Sequence, residues 1–282
     1  MLGIILGIVN VTLMGITNAM SRVPSKLIGQ KKLMFFRQIV TIIGLGIILL
    51  FTLKSTTFDI KYIIFALLIS IIVYFAMLLM YKAFEIGNLG IVSPIASSSV
   101  IYSVILTTFF FHFPMKSIQV ISMAVIVVGI LLISTNFKEI KGSKSNKGVI
   151  PAILTSLLFG VFFFFAQISN RVLGPYLNAF LFEVGMFICV VIDLYLTKEK
   201  LIKVDKGTID FIILLGILSV ISITAYYCGF KVAANPAIFL VISAPSPLVA
   251  TIYSSIVYKE KLTLQQYFAG FLILAGICTI SL

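Results

Sequence analysis

The sequence predicts an all-α integral membrane protein with ten transmembrane helices in two inverted five-helix repeats. Three observations carry this reading. Of the 282 residues 61% are hydrophobic and only 11% charged, and the mean hydropathy is +1.20, which is more apolar surface than a soluble domain can bury. The apolar residues gather into about ten runs, each near the roughly 20 residues that cross a bilayer as a helix. The second half of the chain also echoes the first at a shift of about 146 residues, which places Ala83 on Gly229, Gln119 on Gln265 and, after a one-residue slip, Gly129 on Gly276.

The expected spans lie at about 3–21, 31–52, 60–82, 91–111, 117–135, 148–168, 176–196, 208–230, 236–257 and 265–282. Five spans per half is an odd number, so the second half enters the membrane in the opposite sense to the first. The expected organisation is residues 1–135 as the first repeat, 136–147 as a polar basic linker and 148–282 as the second repeat. With the shift shortened by one, Gly15, Lys26 and Gly29 fall on Gly160, Arg171 and Gly174.

In the first span, Gly3 and Gly7 stand at the spacing that lets helices approach closely. The apolar N-terminus lacks the basic segment of a signal peptide, so this span is expected to stay in the fold. Asn10, Thr17 and Asn18 need partners or water inside a membrane, and either an interhelical bond or a solute contact would serve. Arg37, about a turn and a half into the second span, is either a snorkelling side chain or a functional charge. The third span carries Ser70, Tyr74, Met77 and Tyr81 at helical spacing. Tyr74 lies too deep to be a simple interfacial anchor.

The fourth span opens on Ser93 and Pro94, followed by Ser97, Ser98, Ser99 and Tyr102. Its repeat, the ninth, has Ser243, Pro245, Ser246, Pro247, Thr251 and Tyr253. Proline inside a spanning helix frees a carbonyl that something else must satisfy, and breaks at matching places in two repeats point to a binding site. A merely kinked packing helix is the alternative. The sixth span contains a phenylalanine run followed by Gln167, and the eighth a stripe of Ser219, Ser222 and Tyr226. Glu183 sits about seven residues inside the seventh span, where a carboxylate is a proton carrier, a cation partner or half of an ion pair with Arg37 or Arg171.

The net charge of +12 could signal nucleic-acid binding, but the basic residues sit in the connections between apolar runs, where they set topology instead. About sixteen of them fall at odd-numbered connections and about five at even ones, which predicts cytoplasmic odd connections and both termini outside. Cys189, Cys228 and Cys278 lie within spans with no metal-ligand spacing, and neither a metal site nor a cofactor is expected. The single His112 has no serine, cysteine or carboxylate partner at membrane depth, so enzymatic hydrolysis lacks its groups.

These residues resemble the ten-helix EamA-type members of the drug/metabolite transporter superfamily. The resemblance covers the whole chain and is most specific in the second half, where Pro247, Glu260-Lys261-Leu262, Gly270 and Gly276 are similar to the family's proline, its turn and its glycine-rich closing helix. In the first half, Gly15-Ile16-Thr17-Asn18 resembles the family's opening motif with Met14 in place of tryptophan, and Arg37 resembles its second-helix arginine. The first half departs from the pattern at Phe113 and Pro114, where a glutamate is expected, and near Val100, which lacks the helix proline. Glu260 therefore reads as a turn and interface residue with no counterpart in the first half. The resemblance implies a central cavity among helices 1–4 and 6–9, and alternating access for small organic solutes, often as export of metabolites. It also commonly carries cytoplasmic termini, against the charge distribution of this chain.

The functional expectation is a secondary transporter in the cell membrane that moves a small polar organic metabolite, an amino acid or related solute, most often outward. Asn18, Tyr74, Ser97, Tyr102, Gln167, Tyr226, Ser243 and Tyr253 are the expected solute contacts, Glu183 and Arg37 the coupling or charge site, and Pro94, Pro245 and Pro247 the helix breaks. Aromatic rings beside a carboxylate also suit a quaternary ammonium, so choline-type uptake is the first alternative. A non-transporting scaffold is the second. The expected partners are the solute and the lipid bilayer, with no nucleic acid. Protons or another coupling ion, and a second copy of the chain, are the further candidate partners.

Overall fold

Each apolar run folds as a helix, because inside lipid a helix satisfies its own backbone groups. The computed structural model describes residues 2–86, 95–113, 115–135, 148–199, 201, 204–259 and 261–280. In order the helices are α1 (Leu2–Met20), α2 (Arg22–Ile28), α3 (Gln30–Thr52), α4 (Ile60–Ile86), α5 (Ser99–Phe111), α6 (Ser117–Ser134), α7 (Val149–Leu173), α8 (Pro175–Leu196), α9 (Lys206–Val232), α10 (Pro236–Ser243), α11 (Ser246–Val257) and α12 (Leu264–Ile280). The protein is an all-α, multi-pass membrane protein. Among the described residues eight helical segments are long and apolar enough to cross a membrane: Leu2–Ile28, Gln30–Thr52, Ile60–Ala83, Ser117–Ser134, Val149–Leu173, Pro175–Leu196, Lys206–Val232 and Pro236–Val257. Ile95–Phe111 and Leu264–Ile280 are the shorter apolar helices among the described residues, and the expected spans 91–111 and 265–282 run past them into residues outside the description.

Local chemistry explains the breaks. Gly29, between α2 and α3, has φ +84°, and Gly174, between α7 and α8, has φ +78°. Both hold a backbone conformation that side chains disfavour, and the repeat aligns them with each other. The expected break in the ninth span is present. α10 ends at Ser243, α11 begins at Ser246, and the backbone N–H of Ser246 donates to Ala244 O at 2.8 Å. Pro245 lies in the break and Pro247 in the first turn of α11, where a missing N–H costs least. Asn235 opens α10 as its cap, its Oδ1 accepting from Ala237 N at 2.9 Å. Pro94 lies outside the described residues.

The chain folds as two units, each drawing on both halves of the sequence: Met1–Tyr74 with Ala166–Val232, and Phe75–Phe165 with Ala233–Leu282. Helices cannot be driven together by hydrophobicity in lipid, so small residues and polar bonds carry the packing. In the first unit α3 runs antiparallel to α8, with Phe35 against Phe187 (ring centroids 5.3 Å apart) and Gly46 facing Phe180. Gly44 and Gly216 admit the Val220 and Val40 side chains between α3 and α9, where an added methyl group would come within 2.6 Å and 2.5 Å of them.

In the second unit α6 and α12 pack antiparallel through a reciprocal pair. A methyl group on Gly129 would meet Ile273 Cγ1 at 2.6 Å, and one on Gly276 would meet Ile126 Cγ1 at 2.5 Å. The hydroxyls of Ser122 and Thr279 bond at 2.8 Å in the same seam, and Gln265 Nε2 donates to Leu132 O at 2.6 Å. Large apolar side chains such as Phe51, Leu264 and Phe271 remain exposed, as expected of surfaces that face lipid.

Candidate functional site

Two polar clusters lie in the first unit, and both are built on the α3–α8 seam. At one end of the seam, Lys31 Nζ reaches Asp193 Oδ2 at 2.9 Å and Glu199 Oε1 at 3.1 Å. Tyr74 Oη donates to the same Asp193 oxygen at 2.6 Å. Lys31 begins α3 and Asp193 ends α8, so antiparallel packing brings their side chains together. Tyr74 enters from α4, where it is buried.

Deeper in the seam stand Arg37 of α3 and Glu183 of α8. Arg37 is the cation whose charge acts on Glu183. Burial leaves Arg37 Nε and Glu183 Oε2 without hydrogen-bond partners among the described residues. Tyr227 lies within electrostatic reach of Glu183 and Tyr226, and its ring stacks on Phe182 with centroids 5.9 Å apart. Tyr226 packs edge-on against Tyr227 at 5.2 Å. The first unit therefore groups a carboxylate, a guanidinium and three aromatic rings. Gln167 is buried on α7, and Asn18 is exposed on α1.

The buried carboxamides nearby mostly work between helices. Ser222 Oγ donates to Asn10 Oδ1 at 3.0 Å, joining α9 to α1. Asn170 Nδ2 donates to Tyr227 O at 3.1 Å, and Asn178 Nδ2 to Ala166 O at 3.3 Å. Of the two roles open to Asn10, the interhelical bond is the one seen.

In the second unit Ser97 Oγ and Ser134 Oγ are 3.2 Å apart, and Ser98 Oγ and Ser156 Oγ 2.8 Å. Tyr102 rests on α7 where Gly160 leaves room, since a methyl group there would approach Tyr102 Cβ to 2.5 Å. Ser243 is buried at the end of α10, its Oγ without a partner among the described residues. The Tyr253 ring packs near Tyr258, with centroids 6.1 Å apart. A cleft of about 190 Å³ in this unit is lined by Ala250, Thr251, Ser254, Lys261, Leu262 and Gln266. Among the described residues no group of three or more His, Cys, Asp or Glu side chains is placed to hold a metal ion.

Sequence reasoning missed three residues of the first unit: Asp193, Glu199 and Gln38. Asp193 is a second carboxylate within the seventh apolar run, and that alone marked it for attention. Gln38 stands directly after Arg37, yet its complete burial is visible only once α3 is packed.

A family model described as the EamA-like transporter family matches residues 1–135 and, separately, residues 146–282. No curated protein matches the sequence. Among solved structures 29 chains match. One crystal structure among them superposes with a TM-score of 0.77 at 12% identity, over 98% of this chain and 95% of that one. At that identity the likeness is one of fold.

Proposed function

This chain belongs to the EamA-like transporter family, and from that premise we propose that it is a secondary transporter moving a small polar organic metabolite by alternating access. That it is a membrane transporter and not an enzyme follows from the family. The solute, the direction and the site are our reading.

The observation that carries the reading is that Arg37 and Glu183, on adjacent helices, lie within electrostatic reach of each other and that each has a buried polar atom left over. One positive and one negative charge suit a solute that is itself neutral overall but carries both signs, as amino acids do. A purely cationic solute would leave Arg37 opposed. Export from the cell is the direction we assign.

Within the first unit we place Asn18, Tyr74, Gln167 and Tyr226 as solute contacts; Ser97, Tyr102, Ser243 and Tyr253 are the contacts we assign to the second unit, taken by itself. Two inverted repeats, 1–135 and 148–282, supply ten spans. Support comes from Gly29 and Gly174, which the repeat superposes and which share a positive φ. The repeat-related helices α6 and α12 also run antiparallel, as do α3 and α8. The bias of basic residues further supports termini outside the cell membrane.

A second reading keeps a specific observation. Phe182, Tyr226 and Tyr227 gather near Glu183, and ring faces attract a quaternary ammonium by about 0.5–2 kcal/mol each when desolvated. Uptake of a choline-like amine would use them. The two readings part in proteoliposomes loaded with labelled solutes. Flux of zwitterionic amino acids that choline does not inhibit supports the first, and choline flux lost in Tyr226→Leu supports the second. Vesicles that pass neither, nor any other metabolite of a broad panel, would return the chain to the scaffold reading.

A further inference from the structure

Gln38 lies in the interior of α3 and is fully buried. Neither its Oε1 nor its Nε2 has a hydrogen-bond partner among the described residues. A carboxamide brings two N–H donors and an acceptor oxygen, and buried groups of this kind are almost always bonded. A leucine would fill the same space without the penalty. Where a chain keeps a locally unfavourable group, the compensating gain is to be sought in function.

The packing of α3 on α8 says where that gain would lie. Lys31 stands opposite Asp193, Phe35 opposite Phe187 and Gly46 opposite Phe180. By this antiparallel register Gln38 is level with Met186, about one helical turn from Glu183. Its neighbour Arg37 has an unbonded Nε and Glu183 an unbonded Oε2. Within about one helical turn along this part of the first unit lie unspent donors on Arg37 and Gln38 and unspent acceptors on Gln38 and Glu183.

We propose that Gln38 is the specificity residue of the transport site, reading a polar group that carries a donor and an acceptor on neighbouring atoms, such as an amide. This rests on the transport reading above. A site built to bond such a group rejects the analogue that lacks it by several orders of magnitude, because its own polar atoms are left bare. An apolar pocket, by contrast, cannot strongly reject an added hydroxyl. The Gln38 site should therefore prefer L-asparagine to L-leucine, which is close to it in shape, and L-threonine to L-valine.

The test is uptake of these four amino acids, alongside the broad solute panel, by proteoliposomes holding the full chain or its Gln38→Leu variant. The expected wild-type preference for each polar member is on the order of 10,000-fold in kcat/KM. Gln38→Leu should melt at a higher temperature than wild type while losing that preference, mainly through a raised KM for asparagine and threonine. If Gln38→Leu fails to insert, Gln38→Met, which keeps the length of the side chain, takes its place. An unchanged preference in the variant overturns the inference. So does a wild type that moves leucine and valine as well as their polar partners, or that moves only other solutes, although transport itself would then stand. Absence of wild-type flux for the entire panel removes the transport reading and this inference with it.

Discussion

Tyr74 gives its hydroxyl proton to Asp193 Oδ2 across 2.6 Å, on the oxygen that also takes Lys31 Nζ at 2.9 Å. One carboxylate oxygen thereby ties α4, α3 and α8 together. Tyr74→Phe should cost about 1.5–3 kcal/mol, the worth of one hydrogen bond to a charged partner. Asp193→Asn should cost about 1–2 kcal/mol, because the ion pair is partly exposed and falls between surface and buried cases. The double variant should cost less than the sum of the singles. Melting temperatures of all three in detergent give the coupling, and strict additivity would mean that the hydroxyl and the carboxylate act independently.

The Arg37–Glu183 pair should behave differently, since it is deeper. Removing one partner leaves a half-buried charge uncompensated, at a cost of about 1–3 kcal/mol, between the surface and buried cases, whereas removing both leaves none. Glu183→Gln and Arg37→Met are each expected to be destabilised, and the double variant to recover much of the loss. A double variant no better than the worse single would show that the two charges do not answer each other.

The reciprocal seam of α6 and α12 predicts a packing defect with a defined cure. Gly129→Ala brings a methyl group within 2.6 Å of Ile273 Cγ1 and 3.0 Å of Ala269 O, and overpacking of this kind costs about 1–3 kcal/mol. Ile273→Ala in the same chain removes Cγ1 and should restore part of it. Guanidine or thermal unfolding of single and double variants reads the difference, and the cure fails if the alanine merely adds its own loss.

Acid should loosen the start of α9. Asp205 caps it, with Oδ2 accepting from Thr208 N at 2.9 Å and Oδ1 from the Thr208 hydroxyl at 2.7 Å. The hydroxyl first, and the backbone N–H after it, hold the Asp205 carboxyl below its usual value. A depressed pKa means stability that is present at neutral pH and lost as pH falls through the folded value. Asp205→Asn should therefore melt lower than wild type at pH 7, and the gap should narrow as pH falls below the ordinary carboxylate range near 3.9. A gap that stays constant from pH 7 to pH 3 would speak against the cap.

The hydropathy pattern made the helices legible, because a segment long and apolar enough to span has few other ways to fold in lipid. Pro245 and Pro247 announced the break between α10 and α11 for a covalent reason. The glycine pair at 29 and 174 was visible as a repeat, and its positive φ as a consequence. What could not be read is partner choice. Tyr74 engages Asp193, a residue 119 positions away. Nothing in the spacing of a single helix says which neighbour its hydroxyl will meet. Gln38 was passed over for the same reason, as an unspent carboxamide shows only after the neighbours are in place. Glu183 and Arg37 could be seen as buried charges, while their assignment to each other needed the antiparallel register of α3 and α8.

Asn10 and Ser222 meet across 212 residues of chain, and that distance is also an interval of time. A ribosome adds about 5–20 residues per second, so the first helix waits roughly 10–40 s in the membrane before the eighth segment exists to receive it. During that wait the Asn10 carboxamide has nothing from α9 to bond. Water, lipid headgroups or the insertion machinery must hold it in the meantime. Biogenesis of the first unit is in this sense a task of patience, and a chain truncated before residue 222 would leave its first helix waiting for good.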